Sequence, residues 1–87
     1  KALEIDKDYV SAITELGYCY YALENYDDAL KLFNRVMVIS KTELRVYYAG
    51  LCYFGKKDKD NATKMLNDLT DMNSSYADKL KQKIDKL

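Results

Sequence analysis

The 87-residue chain has no histidine and no proline, only three glycines and two cysteines, and nowhere a run of eighteen apolar residues. Without histidine, catalytic triads, the usual metal sites and imidazole acid–base chemistry lose their commonest member. No catalytic, metal-binding or cofactor-binding residue is assigned, and an enzyme is not expected. Strand-rich folds and linkers depend on turn residues that are scarce here, and the apolar residues recur at helical rather than alternating spacing. An all-α fold is expected. The longest apolar stretches are too short for a membrane-spanning helix, and no segment reads as a signal, so membrane insertion is not expected.

Size and charge narrow the field further. A chain this short is one domain at most, and its stability has to come from many local contacts. Basic and acidic residues balance at 14 each, but unevenly: residues 1–40 carry four basic and seven acidic, residues 41–87 ten basic and seven acidic. The surplus on the second half is small and interspersed with Asp58, Asp60, Asp68, Asp71, Asp78 and Asp85. That is no nucleic-acid footprint.

What the chain does contain is a repeat. The stretch LGYCYYALENYDDALKLF at 16–33 returns as AGLCYFGKKDKDNATKML at 49–66, so that Gly17, Cys19, Tyr20, Ala29 and Phe33 map onto Gly50, Cys52, Tyr53, Ala62 and Leu66 at a constant offset of 33. A period of that length indicates a helical solenoid. Cys19 and Cys52, at the same place in successive repeats, should point in parallel from helices about 8–10 Å apart, whereas a disulfide needs converging side chains with Cα atoms within about 7 Å. They are expected to be free, small apolar residues at tight helix contacts.

Taken in order, residues 1–7 read as the end of a preceding, truncated repeat, and a chain that starts at Lys1 within KALEID reads as a piece of something longer. A first repeat spans 8–41, a second, degenerate one 42–74, and a capping helix 75–87. Asp8 is the expected N-cap of a helix at 9–23. On a wheel of 100° per residue Ile13, Leu16, Gly17 and Tyr20 form its core face, and Ser11, Thr14, Tyr18 and Tyr21 lie on another. Asn25, with Asp28 three residues on, should cap a helix at 26–39 that buries Ala29, Leu30, Phe33, Val36, Met37 and Ile39. Helices at 43–55 and 59–72 repeat the plan, with either Ser40 or Thr42 capping the former. Ala49 stands for Leu16, Leu66 for Phe33 and Lys56 for Leu23, so the second hairpin should be the looser one. Ser75 and Asp78 open the last helix, which has Tyr76, Leu80, Ile84 and Leu87 on one stripe and Lys79, Lys81, Lys83 and Lys86 mostly on the other. That polarity suits the end of a solenoid; the competing reading is a basic amphipathic helix meeting a membrane or a partner.

These residues resemble the tetratricopeptide repeat family. Leu16-Gly17, Tyr20, Ala29 and Phe33 match its motif, with Ile13 in the Trp place and Lys41 in the Pro place; Gly50, Tyr53 and Ala62 match in the second repeat. The resemblance implies antiparallel helical hairpins stacked into a right-handed α-α superhelix, with a concave groove lined by the first helix of each pair, and it implies no catalysis. The family's peptide-carboxylate clamp of Lys, Asn and Arg has no counterpart, because the corresponding surface carries Thr14, Tyr18, Leu44, Tyr47, Tyr48 and Leu51.

The expected function is that of a protein–protein interaction module, a scaffold that holds a protein or peptide segment in the groove. Thr14, Tyr18, Tyr21, Tyr47, Leu51 and Phe54 are its candidate contacts, since they fall outside the packing face and tyrosine offers large contact area at little entropic cost. Burial between neighbouring repeats is the competing role for Tyr18 and Leu51. Alternative functions are a self-associating structural piece that forms a homodimer through truncated repeat ends, and an accessory domain of a larger enzyme or envelope protein. Asp58-Lys59-Asp60-Asn61 begins like a calcium loop but lacks its glycine and reads better as a helix start. The sequons at Asn61 and Asn73 receive no role.

Overall fold

In the computed structural model the described residues are 7–87, with side chains described from Tyr9 onward. They form five helices: α1 (Lys7–Ala22), α2 (Tyr26–Ile39), α3 (Glu43–Gly55), α4 (Lys59–Asp71) and α5 (Tyr76–Ile84). The expected remnant of a preceding repeat lies almost wholly outside the described residues.

Three of the four connections close in the same way. Glu24, Lys57 and Asn73 sit in the left-handed region at φ 61°, 61° and 55°. The amide of the following residue reaches back across the turn, Asn25 N–H to the Tyr20 carbonyl at 2.8 Å, Asp58 to Tyr53 at 2.8 Å and Ser74 to Leu69 at 3.0 Å. This is the Schellman closure, which satisfies carbonyls left over at a helix end. Asn25 and Asp58 then serve at once as the N-cap residues of α2 and α4. So tight a turn forces the two helices of each pair to run antiparallel.

The caps themselves divide. Thr42 accepts from the Arg45 amide and Asp58 from the Asn61 amide, each tying down a free N–H of the first turn. Asn25 makes no such bond; its amide nitrogen donates to the Asp28 carboxylate at 2.8 Å, so the expected capping box is replaced by a side-chain pair. Ser75 is not a side-chain cap either, being helical in its own backbone, and Ser74 Oγ accepts from the Tyr76 amide at 3.1 Å instead. Asp8 lies inside α1, which is already helical at Lys7.

The core runs along the stack in three successive clusters. Val10, Ile13 and Val36 join α1 to α2; Ala29, Leu30, Phe33, Ala49 and Cys52 join α2 to α3; Val46, Leu51, Ala62, Leu69, Leu80 and Ile84 join α3, α4 and α5. Each hairpin is thus sealed by the next element, as expected of a quasi-one-dimensional array. The slab measures 45 × 29 × 17 Å, and its least dimension leaves room for about two layers of 10 Å helices.

Four core expectations change. Leu16 is 46% exposed and Cys19 is exposed, while their repeat-mates Ala49 and Cys52 are fully buried. The reason is position in the stack: α2 covers this face of α3, and no described helix covers it on α1. Leu87, expected on the buried stripe of the last helix, is 42% exposed because α5 ends at Ile84. The second hairpin is not the looser one, since it holds the largest core cluster. Where the Phe33 ring lies over Gly17, Leu80 of α5 lies over Gly50, so the last helix makes good the smaller Leu66.

Candidate functional site

The helices that begin each hairpin, together with α5, present a continuous chain of aromatic rings. Tyr76 of α5 stacks on Tyr47 of α3 at 4.8 Å between centroids, and Tyr47 meets Tyr48 edge-on at 5.8 Å. Tyr48 in turn contacts Tyr18 at 4.7 Å and Tyr21 at 5.4 Å, both on α1. Tilted and edge-on pairs of this kind add stability beyond the area they bury. The chain exists because Tyr18 and Tyr21, one helical turn apart on α1, both meet Tyr48 of α3, while its neighbour Tyr47 meets Tyr76 of α5.

Of the six candidate contacts, two are closed off. Thr14 is 6% exposed and donates from Oγ1 to the Val10 carbonyl at 2.8 Å, while Leu51 is 6% exposed within the α3–α4–α5 cluster. Tyr18, Tyr21, Tyr47 and Phe54 are half-buried. Tyr18 also rests on the Phe33 ring at 5.6 Å, so it links the aromatic face to the core.

Burial raises the Tyr18, Tyr21 and Tyr47 hydroxyl pKa values, and neighbouring tyrosines raise them further; the Arg45 guanidinium partly offsets this at Tyr18. All three therefore remain neutral hydroxyls well above physiological pH, able to donate and accept hydrogen bonds. Two cations stand at the α5 end. Lys79 Nζ lies 5.4 Å from the Tyr76 ring centroid and Lys83 Nζ 5.8 Å from that of Phe54, both inside the range of a cation–π contact. Among the described residues no three His, Cys, Asp or Glu side chains gather as a metal site would require. No helix among them is long and apolar enough to cross a membrane.

The family model for the tetratricopeptide repeat matches residues 10–42, and a second model of the same repeat matches residues 46–73. The chain belongs to the tetratricopeptide repeat family. Its repeats are generally protein–protein interaction modules, and the family is typically a non-catalytic scaffold. Among curated proteins and among solved structures, nothing matches the chain at the significance required.

Sequence reasoning assigned Tyr76 to a packing stripe and gave Lys79 and Lys83 to the solvated face of the last helix. Their part in the aromatic face was missed, because the periodicity of one helix does not say which neighbour flanks it. A signal was present nonetheless: Tyr76, Lys79 and Lys83 share one flank of the Leu80–Ile84 stripe on a 100° wheel.

Proposed function

We propose that the chain is a scaffold module that holds a peptide segment of a protein partner along the aromatic face of α1, α3 and α5. Tyr18, Tyr21, Tyr47 and Phe54 are the contacting side chains. The supporting observation is the ring chain from Tyr76 to Tyr18 and Tyr21, which sets large, half-exposed, neutral side chains side by side across three helices. Such residues dominate binding energy at protein interfaces. The test is to select twelve-residue peptides from a random display library on the immobilised chain and follow their binding by amide NMR shifts. Shifts on α1, α3 and α5 that vanish in Tyr21→Ala/Phe54→Ala are the expected result; shifts on the outer faces of α2 and α4, indifferent to that variant, would refute it.

One observation favours a second reading, self-association. Leu16 and Cys19 on α1, and Leu23 just after it, are exposed where Ala49 and Cys52 on α3 are fully buried by α2, so α1 offers a hairpin-stacking face that a second copy could cover. Light scattering decides: a dimer that Leu16→Glu disperses supports it, and a monomer at high micromolar concentration ends it.

A further inference from the structure

We propose that the segment held on the aromatic face is acidic, its carboxylates meeting Lys79 and Lys83 while its apolar side chains lie on the tyrosines. The inference rests on the aromatic face being the binding surface.

The first observation is the charge content of that face. From α1 it takes Ser11, Tyr18 and Tyr21, and from α3 Leu44, Tyr47 and Phe54, none of them ionised at neutral pH, with Glu43 one turn before Tyr47 at the start of α3. The ammonium groups of α5 stand at the edge of this neutral floor, over rings that belong to it or stack on it. Arg45 adds positive potential near Tyr18, and no carboxylate acts on Tyr18, Tyr21 or Tyr47 strongly enough to shift them. Lys79, Lys83 and Arg45 therefore bias this side of the face toward partners that carry negative charge.

The second observation is that neither charge is paired with a carboxylate inside the fold. Among the described residues the salt bridges are Lys41 to Asp68 and Lys56 to Asp27; neither Lys79 nor Lys83 has a carboxylate within 4.0 Å. Lys79 also lies in the first turn of α5, where the helix dipole favours an acid and opposes a cation. A cation held there against the dipole, over a tyrosine ring, is free to pair with an incoming anion. Lys81 and Lys83 lie in the last turn, where the dipole favours a cation, so the charge that the dipole leaves unexplained is that of Lys79.

A peptide fits this site better than an extended polyanion. Lipid surfaces are engaged by clusters of about four to eight basic residues, and this face offers two lysines beside rings that would each accept an apolar side chain.

The test repeats the library selection on the unmodified chain, on Lys79→Gln/Lys83→Gln, on Lys79→Arg/Lys83→Arg and on Tyr21→Ala/Phe54→Ala. Recovered peptides should be enriched in Asp and Glu over the input on the unmodified chain and the arginine variant, and not on the glutamine variant. A synthesised acidic peptide should bind the glutamine variant about 3- to 10-fold more weakly, the loss expected for two solvent-exposed ion pairs, and that gap should close in high salt. Peptides that need Tyr21 and Phe54 but carry no acidic bias would overturn the charge assignment and leave the binding surface standing. Peptides indifferent to all variants, or none recovered, would overturn both. Lysine-dependent sedimentation with phosphatidylserine vesicles would overturn the peptide assignment in favour of a lipid surface.

Discussion

Gly50 and Leu80 provide a sharp test of how α5 sits on the second hairpin. A methyl group added at Gly50 would stand 2.6 Å from Leu80 Cδ2, 3.2 Å from Cδ1 and 3.2 Å from Met65 Cβ. Carbon atoms in good contact are about 3.5–4.0 Å apart, so the Leu80 methyl has to withdraw by about 1 Å. Leu80 is fully buried, and overpacking of this kind costs about 1–3 kcal/mol. Alanine returns about 1 kcal/mol of helix propensity over glycine, so Gly50→Ala should be destabilising by no more than about 2 kcal/mol. Leu80→Ala alone should cost about 2–5 kcal/mol, a large share of the total for a domain of this length. In the double variant the clash with Leu80 is gone, the new methyl takes up part of the vacated volume and the propensity gain remains. The pair should therefore be less destabilised than the sum of its parts by about 1–3 kcal/mol. Equilibrium urea unfolding of the four proteins measures this cycle. Gly17→Ala is the control, because the three atoms nearest its added methyl all belong to the Phe33 ring, at 3.0–3.3 Å, and it should combine additively with Leu80→Ala to within about 0.5 kcal/mol. A Gly50–Leu80 coupling no larger than that of the control would show that α5 does not lie over Gly50 as described.

Further outcomes follow from the same structure. A thiol reagent should label Cys19 at the rate of an exposed cysteine and Cys52 only as the fold opens, since Cys52 is fully buried and burial pushes its thiol up to about 12; equal rates would place Cys52 at the surface. The folded pKa of Cys52 and those of Tyr18, Tyr21, Tyr26 and Tyr47 all lie above their unfolded values. The unfolded state thus loses these protons first, and urea midpoints should hold steady to about pH 9 and fall as pH rises toward 12. Asp58 has its pKa lowered by the Asn61 side chain first and the Asn61 amide second; its contribution is present above the unfolded carboxylate range and is lost as pH falls through the lowered value, a loss that Asp58→Asn should remove. Lys57→Gly should raise stability by a few tenths to about 1 kcal/mol in thermal or urea unfolding, because a side chain is strained at a left-handed φ that glycine adopts freely; a loss would mean that contacts of the Lys57 side chain outweigh the strain.

Helix number, order and hairpin pairing were legible in the sequence alone, because they depend on local periodicity and on a repeat of 33 residues that each hairpin carries within itself. Ala29, Phe33, Val36, Ala62 and Leu80 were placed in the core on that ground, and the boundaries of α2 and α3 coincide with those read from spacing. The turn closures were not legible: Glu24 and Lys57 occupy places where a glycine would have announced the left-handed residue. What only the tertiary structure decided is which of two equivalent faces is covered. Cys19 and Cys52 hold the same place in their repeats, yet one is exposed and the other buried, since burial belongs to the neighbour in the stack and not to the residue. The same holds for the candidate surface. Periodicity separated Tyr18, Tyr21, Tyr47 and Phe54 from the packing face, while the ring chain through Tyr48 and Tyr76, with Lys79 and Lys83 at its edge, arises from contacts between helices that no single helix specifies.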